Sequence, residues 1–228
     1  MKNPGFRIKK NIERPSKELI SKFNGRAVAN IGDALGRFQI MDDSIKTLNK
    51  KDIHMVGPAY TVRVRPGDNL MLHKAIDLAN EGDIIVVDAQ KSKNGLWGEI
   101  LSTLCMAKGI GGLVIEGGVR DAHDIYELGF PVFAYSNIAA GGDKDGPGEI
   151  NFPISCGGVS VKPGDIIVGD YDGVVVVQKE EAEFAAEKVA EIEEKEKKIL
   201  EKINNGEEWN REWLKDEALK EKGCEIIE

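Results

Sequence analysis

The sequence predicts a mixed α/β fold in which at least some strands pair in parallel. Two observations carry this prediction. The middle of the chain alternates short apolar runs, which indicate buried strands, with segments that have apolar residues at helical spacing. The predicted elements are a strand at 84–87, a helix at 98–108, a strand at 113–115, a helix at 122–128 and a strand at 132–135. This alternation is typical of crossover units that join parallel strands.

The first fifty residues predict an arm followed by two helices. Residues 1–15 are polar and basic without a clear period, which indicates an arm or a first turn. Ser16 is a typical N-cap for a helix that Gly25 ends, and a second short helix follows at about 31–35.

Two further regions flank the alternating middle. An alternating strand at 56–64 enters the turn Pro66-Gly67-Asp68, and a helix at 69–78 follows. After Ala140 the pattern becomes all-β. It comprises a glycine-rich loop at 141–148, strands near 150–154, 158–161, 165–169 and 174–177, and a second Pro-Gly-Asp turn at 163–165.

The C-terminal part predicts a long helix over 179–203 with a narrow apolar stripe, a pattern typical of a docking helix or a subunit contact. Trp209 and Trp213 indicate that the tail folds onto another surface. We therefore expect an α/β domain at 1–178, with the arm and first helices within 1–50, and a helical extension at 179–228.

Composition excludes several classes of protein. Residues 179–228 hold 17 acidic and 10 basic side chains, whereas the other 178 residues hold 22 and 21. Neither part has the basic stripe that nucleic-acid binding requires, so we expect no such partner. The three cysteines are far apart, which argues against a disulfide framework or a zinc site. There is no leader and no apolar run of about 18 residues, so we expect a cytoplasmic protein without membrane contact.

The strongest candidate for an active site combines a helix start with a strand end. Gly98 and Glu99 open a helix whose first N–H groups, at Ile100 and Leu101, have no partners within the helix and attract anions. Arg120 and Asp121 follow a buried strand and a double glycine, which permits close approach of a ligand.

Asp121 offers the hard oxygen that Mg²⁺ or Mn²⁺ prefers. A cation there, Arg120 and the helix start could together hold an α-keto acid and stabilise its enolate. In the competing interpretation, Glu99 merely favours a first helical turn and Arg120-Asp121 is a turn with a surface ion pair.

These segments resemble a known family. The run 97–101 (Trp-Gly-Glu-Ile-Leu) and the run 112–121 (Gly-Leu-Val-Ile-Glu-Gly-Gly-Val-Arg-Asp) are similar to the family that contains 4-hydroxy-4-methyl-2-oxoglutarate aldolase and the regulator of ribonuclease activity A. Twenty residues separate Glu99 from Arg120, and that family's aldolases have an acidic residue, twenty positions and then Arg-Asp. The resemblance extends from Gly32 to Val176, which is most of the chain.

The resemblance implies a layered αββα sandwich of the swivelling β/β/α type with a long C-terminal helix. It also implies a homotrimer or a pair of trimers with sites between subunits. By residue, it implies that Asp121 binds the metal, that Arg120 contacts the keto oxygen and stabilises the enolate, and that Glu99 acts on the metal through a metal-bound water. The amides of Ile100 and Leu101, next to Gly98, would hold the pyruvate carboxylate. A glutamate from a neighbouring chain's C-terminal helix also takes part in the family, and Glu193 or Glu194 is the candidate here.

The implied function is that of a class II, metal-dependent lyase that cleaves a 4-hydroxy-2-oxo acid to pyruvate, with oxaloacetate decarboxylation as a related activity. The alternative is a non-catalytic regulator that binds a partner protein. The chain departs from the family at Glu99, where Asp is commoner, and in the segment 141–154, which we expect near the mouth of the site.

Other polar residues have weaker patterns. His54, His73 and His123 have no metal-ligand spacing, and only His123 lies near the proposed site in sequence. Asn69 either faces the site or caps a turn. The glycines at 109–112 complete no phosphate-binding pattern, so we expect no nucleotide cofactor.

Overall fold

A computed structural model describes residues 5–227 and divides the chain into two compact units, Met1–Val189 and Ala190–Glu228. The strands of the first unit are β1 (Phe6–Ile8), β2 (Lys46–Thr47), β3 (Met55–Val64), β4 (Ile84–Trp97), β5 (Gly112–Val119), β6 (Val132–Asn137), β7 (Gly148–Ile150), β8 (Ile154–Cys156), β9 (Val159–Val161), β10 (Ile166–Asp170) and β11 (Gly173–Val177). Its helices are α1 (Lys17–Ser21), α2 (Val28–Ala34), α3 (Leu70–Leu78), α4 (Glu99–Ala107) and α5 (Ala122–Leu128). The long helix α6 (Ala182–Asn204) begins in this unit.

The main sheet has the strand order β1-β7-β3-β4-β5-β6-β2. Strands β3, β4, β5 and β6 pair in parallel, which confirms the predicted crossover units. The first half of β3 also pairs antiparallel with β10, and β10 pairs with β11, so the chain continues into a second β layer. Strands β8 and β9 form a separate hairpin.

Three apolar cores separate four layers. The first core lies between one face of the main sheet and helices α3, α4 and α5, and includes Leu72, Leu101 and Ile125. The second lies between the other face of that sheet and the second β layer. The third packs strands β10 and β11 against α1, α2 and the first turns of α6. The αββα sandwich with a long C-terminal helix is thereby confirmed.

The structure corrects the prediction at the N-terminal arm and at β4. Within the arm, Phe6–Ile8 forms a strand that pairs in parallel with β7, while residues 1–4 lie outside the described part. Strand β4 continues for ten residues beyond the predicted 84–87, through bulges at which Gln90 and Lys91 adopt positive φ. The extension escaped prediction because polar residues interrupt it and bulges break the alternation of side chains.

The second unit comprises the end of α6, a 3₁₀ turn (Glu212–Leu214) and α7 (Asp216–Glu221). Trp209 and Trp213 meet edge to face with ring centroids 5.6 Å apart. Together with Ile199 they line a groove of about 600 Å³ on the end of α6. Among the described residues, no helix is both long enough and apolar enough to cross a bilayer.

Candidate active site

A cavity of about 290 Å³ lies where β4 and β5 end, and we call it the Arg120 cavity. It is lined by Asn69, His73, Gly95, Leu96, Trp97, Gly98, Ile100, Leu101, Arg120, Asp121, Gly141, Gly142 and Lys144. Ligand sites of open α/β sheets lie beyond the carboxyl ends of the strands, where side chains from several loops converge. The position of this cavity therefore agrees with a binding site.

The start of α4 is held by the residue before it. The Trp97 indole is buried and stacks on Phe130 with ring centroids 6.4 Å apart. Its Nε1 donates to Ser102 Oγ at 2.8 Å, and Ser102 Oγ in turn donates to the Gly98 carbonyl at 3.1 Å. This fixed first turn carries Ile100 and Leu101 to the cavity wall. Their N–H groups are among the first of the helix, which have no acceptor within it.

Arg120 is placed by a backbone hydrogen bond between the two strands. Its N–H donates to the Trp97 carbonyl at 2.8 Å, so Arg120 and the start of α4 keep a fixed separation. Gly95 permits this approach, because a Cβ there would lie 2.4 Å from the Ile138 carbonyl oxygen and 3.0 Å from Arg120 Cβ.

The Asp121 carboxylate joins the two halves of the site. Its Oδ2 accepts from the Glu99 backbone N–H and from Arg120 Nε, each at 3.3 Å. The Asp121 backbone is left-handed, with φ of 56°, a conformation that aspartate tolerates better than most residues. The side chain stays 30% exposed and so remains accessible from the cavity.

The structure brings together most of the residues that the sequence predicted for the site. Gly98, Ile100, Leu101, Arg120 and Asp121 all line the Arg120 cavity. The backbone of Glu99 contacts Asp121, but its side chain is exposed and is not part of the cavity wall.

The predicted partner glutamates lie elsewhere in the chain. Glu193 and Glu194 lie on the part of α6 that belongs to the second unit, where Glu194 pairs with Lys198 at 3.1 Å. Their suggested role at a neighbouring chain's site therefore stays a prediction.

Sequence reasoning missed two polar residues of the cavity, His73 and Lys144. Of the three histidines, only His123 was noted as near Asp121 in sequence, with a loop histidine without a role as the preferred interpretation, and His123 does not line the cavity. Asn69 directly precedes α3, and His73 lies four positions later, a helical spacing that brings both residues to one side of the helix. That spacing was a usable signal. The segment 141–154 was expected near the mouth of the site, and its residues Gly141, Gly142 and Lys144 do line the cavity, but no local pattern singled out Lys144 within it.

The cavity has positive electrostatic character within an acidic chain. Its wall carries the cations Arg120 and Lys144 and the single acid Asp121. Burial lowers the pKa of His73, and the nearby Lys144 charge lowers this pKa further, so the imidazole is neutral at pH 7. A small anion is the ligand that such a cavity attracts.

The side chains at the cavity suit a hard divalent cation that keeps water ligands, and do not form a site in which protein side chains supply every ligand. Among residues 5–227, no group of three or more His, Cys, Asp or Glu side chains could hold a metal ion. Mg²⁺ keeps several waters and binds through one or two carboxylates together with substrate oxygens. Asp121, accessible at the cavity, supplies that single carboxylate, and a bound oxo acid would supply further oxygens.

The comparisons with known proteins agree with this architecture. The sequence pattern of the family described as RraA-like (Aldolase/RraA) matches residues 28–176. A protein of Halalkalibacterium halodurans, provisionally named 4-hydroxy-4-methyl-2-oxoglutarate aldolase, is 39% identical over 191 residues, which are 82% of this chain and 90% of that protein. An uncharacterised protein of Methanocaldococcus jannaschii is 40% identical over 73% of this chain and 81% of its own length.

Solved structures show the same fold. The Streptomyces coelicolor protein RraAS2, described as an unusual member of the RNase ES inhibitor RraA family, superposes with a TM-score of 0.74 at 28% identity, covering 82% of this chain and 98% of that one. The RNA-processing inhibitor RraA of Thermus thermophilis superposes with a TM-score of 0.61 at 25% identity, over 66% and 92% of the two chains. The fold, the family pattern and the identities together establish that this chain belongs to the RraA-like (Aldolase/RraA) family.

Proposed function

We propose that this protein is a divalent-metal-dependent lyase that cleaves a 4-hydroxy-2-oxo acid to pyruvate and a carbonyl compound. The observation that carries the proposal is the convergence of Arg120, Asp121 and the start of α4 on one small, positively charged cavity. Its volume of about 290 Å³ is at the small end of ligand pockets, as suits a short acid.

The substrate's 2-oxo acid end would bind between the two halves of the site. The N–H groups of Ile100 and Leu101 would donate to its carboxylate, as helix starts do for anions. The Arg120 guanidinium would donate to the 2-oxo oxygen. This oxygen gains negative charge as the enolate forms, so Arg120 stabilises the transition state more than the ground state.

Asp121 would hold the divalent cation, which supplies additional positive charge beside the 2-oxo oxygen when bound. The Glu99 N–H and Arg120 Nε both donate to Asp121 Oδ2, and so orient the carboxylate. The arrangement agrees with the provisional aldolase name of the H. halodurans relative.

In the cleavage step the C3–C4 bond breaks and its electron pair passes through C3 to the 2-oxo oxygen, which gives the pyruvate enolate. The 4-hydroxyl loses its proton as C4 becomes a carbonyl. Glu99, exposed beside the cavity, would accept this proton through a water molecule. Protonation of the enolate at C3 then yields pyruvate.

Lys144 and His73 provide the cavity with a second polar region, in addition to the one at the start of α4. Lys144, together with a neutral His73, would suit a second carboxylate on the substrate. Oxaloacetate also carries two carboxylates, and its decarboxylation forms the same enolate. We therefore include oxaloacetate decarboxylation in the proposal.

We also propose that copies of the chain assemble as a trimer or a pair of trimers. Residues 179–228 would form the subunit contact, and Glu193 or Glu194 would reach the neighbouring site. The exposed apolar side chains Leu200 and Ile203 of α6 support such a contact.

A second candidate function is protein binding without catalysis, because one structural relative is described as an RNA-processing inhibitor and another as an unusual member of the RNase ES inhibitor RraA family. A pure binding protein has no need of the Arg120–Asp121 pair aligned with a helix start. The lyase proposal therefore explains more of the cavity.

Pyruvate release tests the proposal directly. The unmodified protein should release pyruvate from 4-hydroxy-4-methyl-2-oxoglutarate with Mg²⁺ or Mn²⁺, and a chelator should abolish the release. Asp121→Asn keeps the side-chain shape but removes the charge, and kcat should fall about a hundredfold or more. The matched control is Asp124→Asn, an exposed position of the same helix α5, which should leave kcat unchanged. No metal-stimulated release, together with equal behaviour of the two variants, would refute the lyase proposal.

A further inference from the structure

The loop that carries Lys144 is held by a buried carboxylate that takes no part in the proposed reaction. This loop, residues 141–148, would be expected to be mobile because it is rich in glycine. The Asp68 side chain is fully buried, yet it comes from the turn before α3, far away in sequence.

Asp68 binds the loop just beyond Lys144. Its Oδ2 accepts from the backbone N–H groups of Asp145 at 2.6 Å and Gly146 at 2.8 Å. Its Oδ1 accepts from the Leu70 N–H at 2.9 Å, which fixes the carboxylate to the start of α3. Burial acts to raise the pKa of Asp68, but these donors and the nearby Arg65 charge outweigh burial and lower the pKa, so the carboxylate is ionised at neutral pH.

The same turn also binds the loop just before Lys144. The Asp143 N–H donates to the Gly67 carbonyl at 2.7 Å, and the Asp143 carbonyl accepts from the Asn69 N–H at 2.9 Å. Lys144 is thus the residue between two anchored points. Its backbone is held on both sides, and the residue lines the Arg120 cavity.

We propose that Asp68 is a positioning residue that fixes Lys144 in the cavity and thereby sets the preference for substrates with a second carboxylate. This inference rests on the proposed function for its substrate. Asp68 contacts no reacting atom. It acts through the loop, and its effect should therefore depend on Lys144.

The first experiment compares two substrates in a double-mutant cycle. For 4-hydroxy-4-methyl-2-oxoglutarate, Asp68→Asn should raise KM by roughly ten- to hundredfold, the range expected for a lost charge-assisted contact. For 4-hydroxy-2-oxopentanoate, which lacks the second carboxylate, KM and kcat should stay nearly unchanged. Lys144→Met should have the same selective effect, and adding Asp68→Asn to it should change KM little further.

The matched control is Asp165→Asn. Asp165 is also fully buried, also ends a Pro-Gly-Asp turn, and also accepts backbone N–H groups, from Lys162 at 2.7 Å and Lys179 at 3.2 Å. It does not line the Arg120 cavity. It therefore reports the general effect of losing a buried turn carboxylate, and should not change the ratio of the two KM values.

A spectroscopic readout follows Lys144 without turnover. Because the Lys144 charge helps to lower the pKa of His73, displacing Lys144 should raise this pKa in the NMR titration of Asp68→Asn, as Lys144→Met should. In the unmodified protein, the amides of Asp145 and Gly146 should be protected from hydrogen exchange. This measurement does not depend on the folding of any variant.

The outcomes separate the two proposals. If the unmodified protein turns over neither substrate, the lyase function fails, while the His73 titration and the exchange data still decide the role of Asp68. The role of Asp68 is overturned if its variant affects both substrates equally, or adds fully to Lys144→Met. It is also overturned if the Asp145 and Gly146 amides exchange as fast as those of an open loop.

Discussion

At the scale of single residues, the site depends as much on a missing side chain as on those present. Gly98 has an extended backbone, with φ of −164°, that any residue could adopt. A Cβ at this position would nevertheless lie 2.4 Å from Asp121 Oδ2 and 3.2 Å from Arg120 Cγ. Glycine is therefore required by the space that the carboxylate occupies rather than by backbone conformation.

Gly98→Ala should accordingly impair catalysis more than folding. The added methyl group forces Asp121 away from the Glu99 N–H, and kcat/KM for pyruvate release should fall by at least about tenfold. The thermal midpoint should change little, because Asp121 is partly exposed and can move into the cavity. Kinetics and thermal unfolding on the same preparation check this. Full activity in the variant would mean that the observed carboxylate position is not the working one.

His73 predicts a pH dependence of stability. Its pKa is lowered in the folded protein from an ordinary value of 6.5, so the unfolded chain binds the proton more readily. The contribution of His73 is fully present above that value and is lost as pH falls toward the folded pKa. Urea unfolding between about pH 7.5 and 5 should show a smaller loss of unfolding free energy in His73→Gln than in the unmodified protein. An equal loss of unfolding free energy in the two proteins would contradict a lowered pKa of His73 in the folded state.

At the scale of elements, the sequence predicted regular structure well and the shape of the cavity only in part. The alternating middle of the chain was predictable because buried parallel strands leave continuous apolar runs. The extension of β4 to Trp97 was not, because its bulges destroy the period on which the prediction depends. The Arg120–Asp121 pair was found because it directly follows a buried strand. Lys144 was missed because only the tertiary contacts of its loop bring it to the cavity.

The N-terminal arm gives an element-scale prediction about stability. Arg14 donates to both carboxylate oxygens of Asp83, at 2.7 and 2.6 Å, and the Asp83 side chain is fully buried. Asp83→Ala leaves a partly buried guanidinium without its partner, so the free energy of unfolding should fall by about 3 kcal/mol. Glu13→Ala removes an exposed pair with Lys179 on the same arm and should have little effect. Equal urea midpoints for the two variants would show that the arm is not anchored by Asp83.

At the scale of the whole molecule, the chain has a formal charge of −8, yet the Arg120 cavity is lined by more positive than negative side chains. The acidity is concentrated in residues 179–228, which carry 17 of the 39 acidic side chains, whereas the cavity wall carries more cations than acids. This separation lets a small anion enter a site of favourable potential. Composition alone predicted the absence of a basic surface, but the positive cavity became visible only once the fold brought distant loops together.

The central claim is that Arg120 and Asp121 stabilise the enolate of pyruvate, whichever carbonyl compound the natural substrate releases. The exchange of the pyruvate methyl protons for deuterium in D₂O, monitored by NMR, measures enolate formation and does not require the natural substrate to be known. We expect exchange that requires both the protein and Mg²⁺ or Mn²⁺, stops with a chelator, and falls about a hundredfold or more in Asp121→Asn. Exchange no faster than that of pyruvate and metal alone would contradict it.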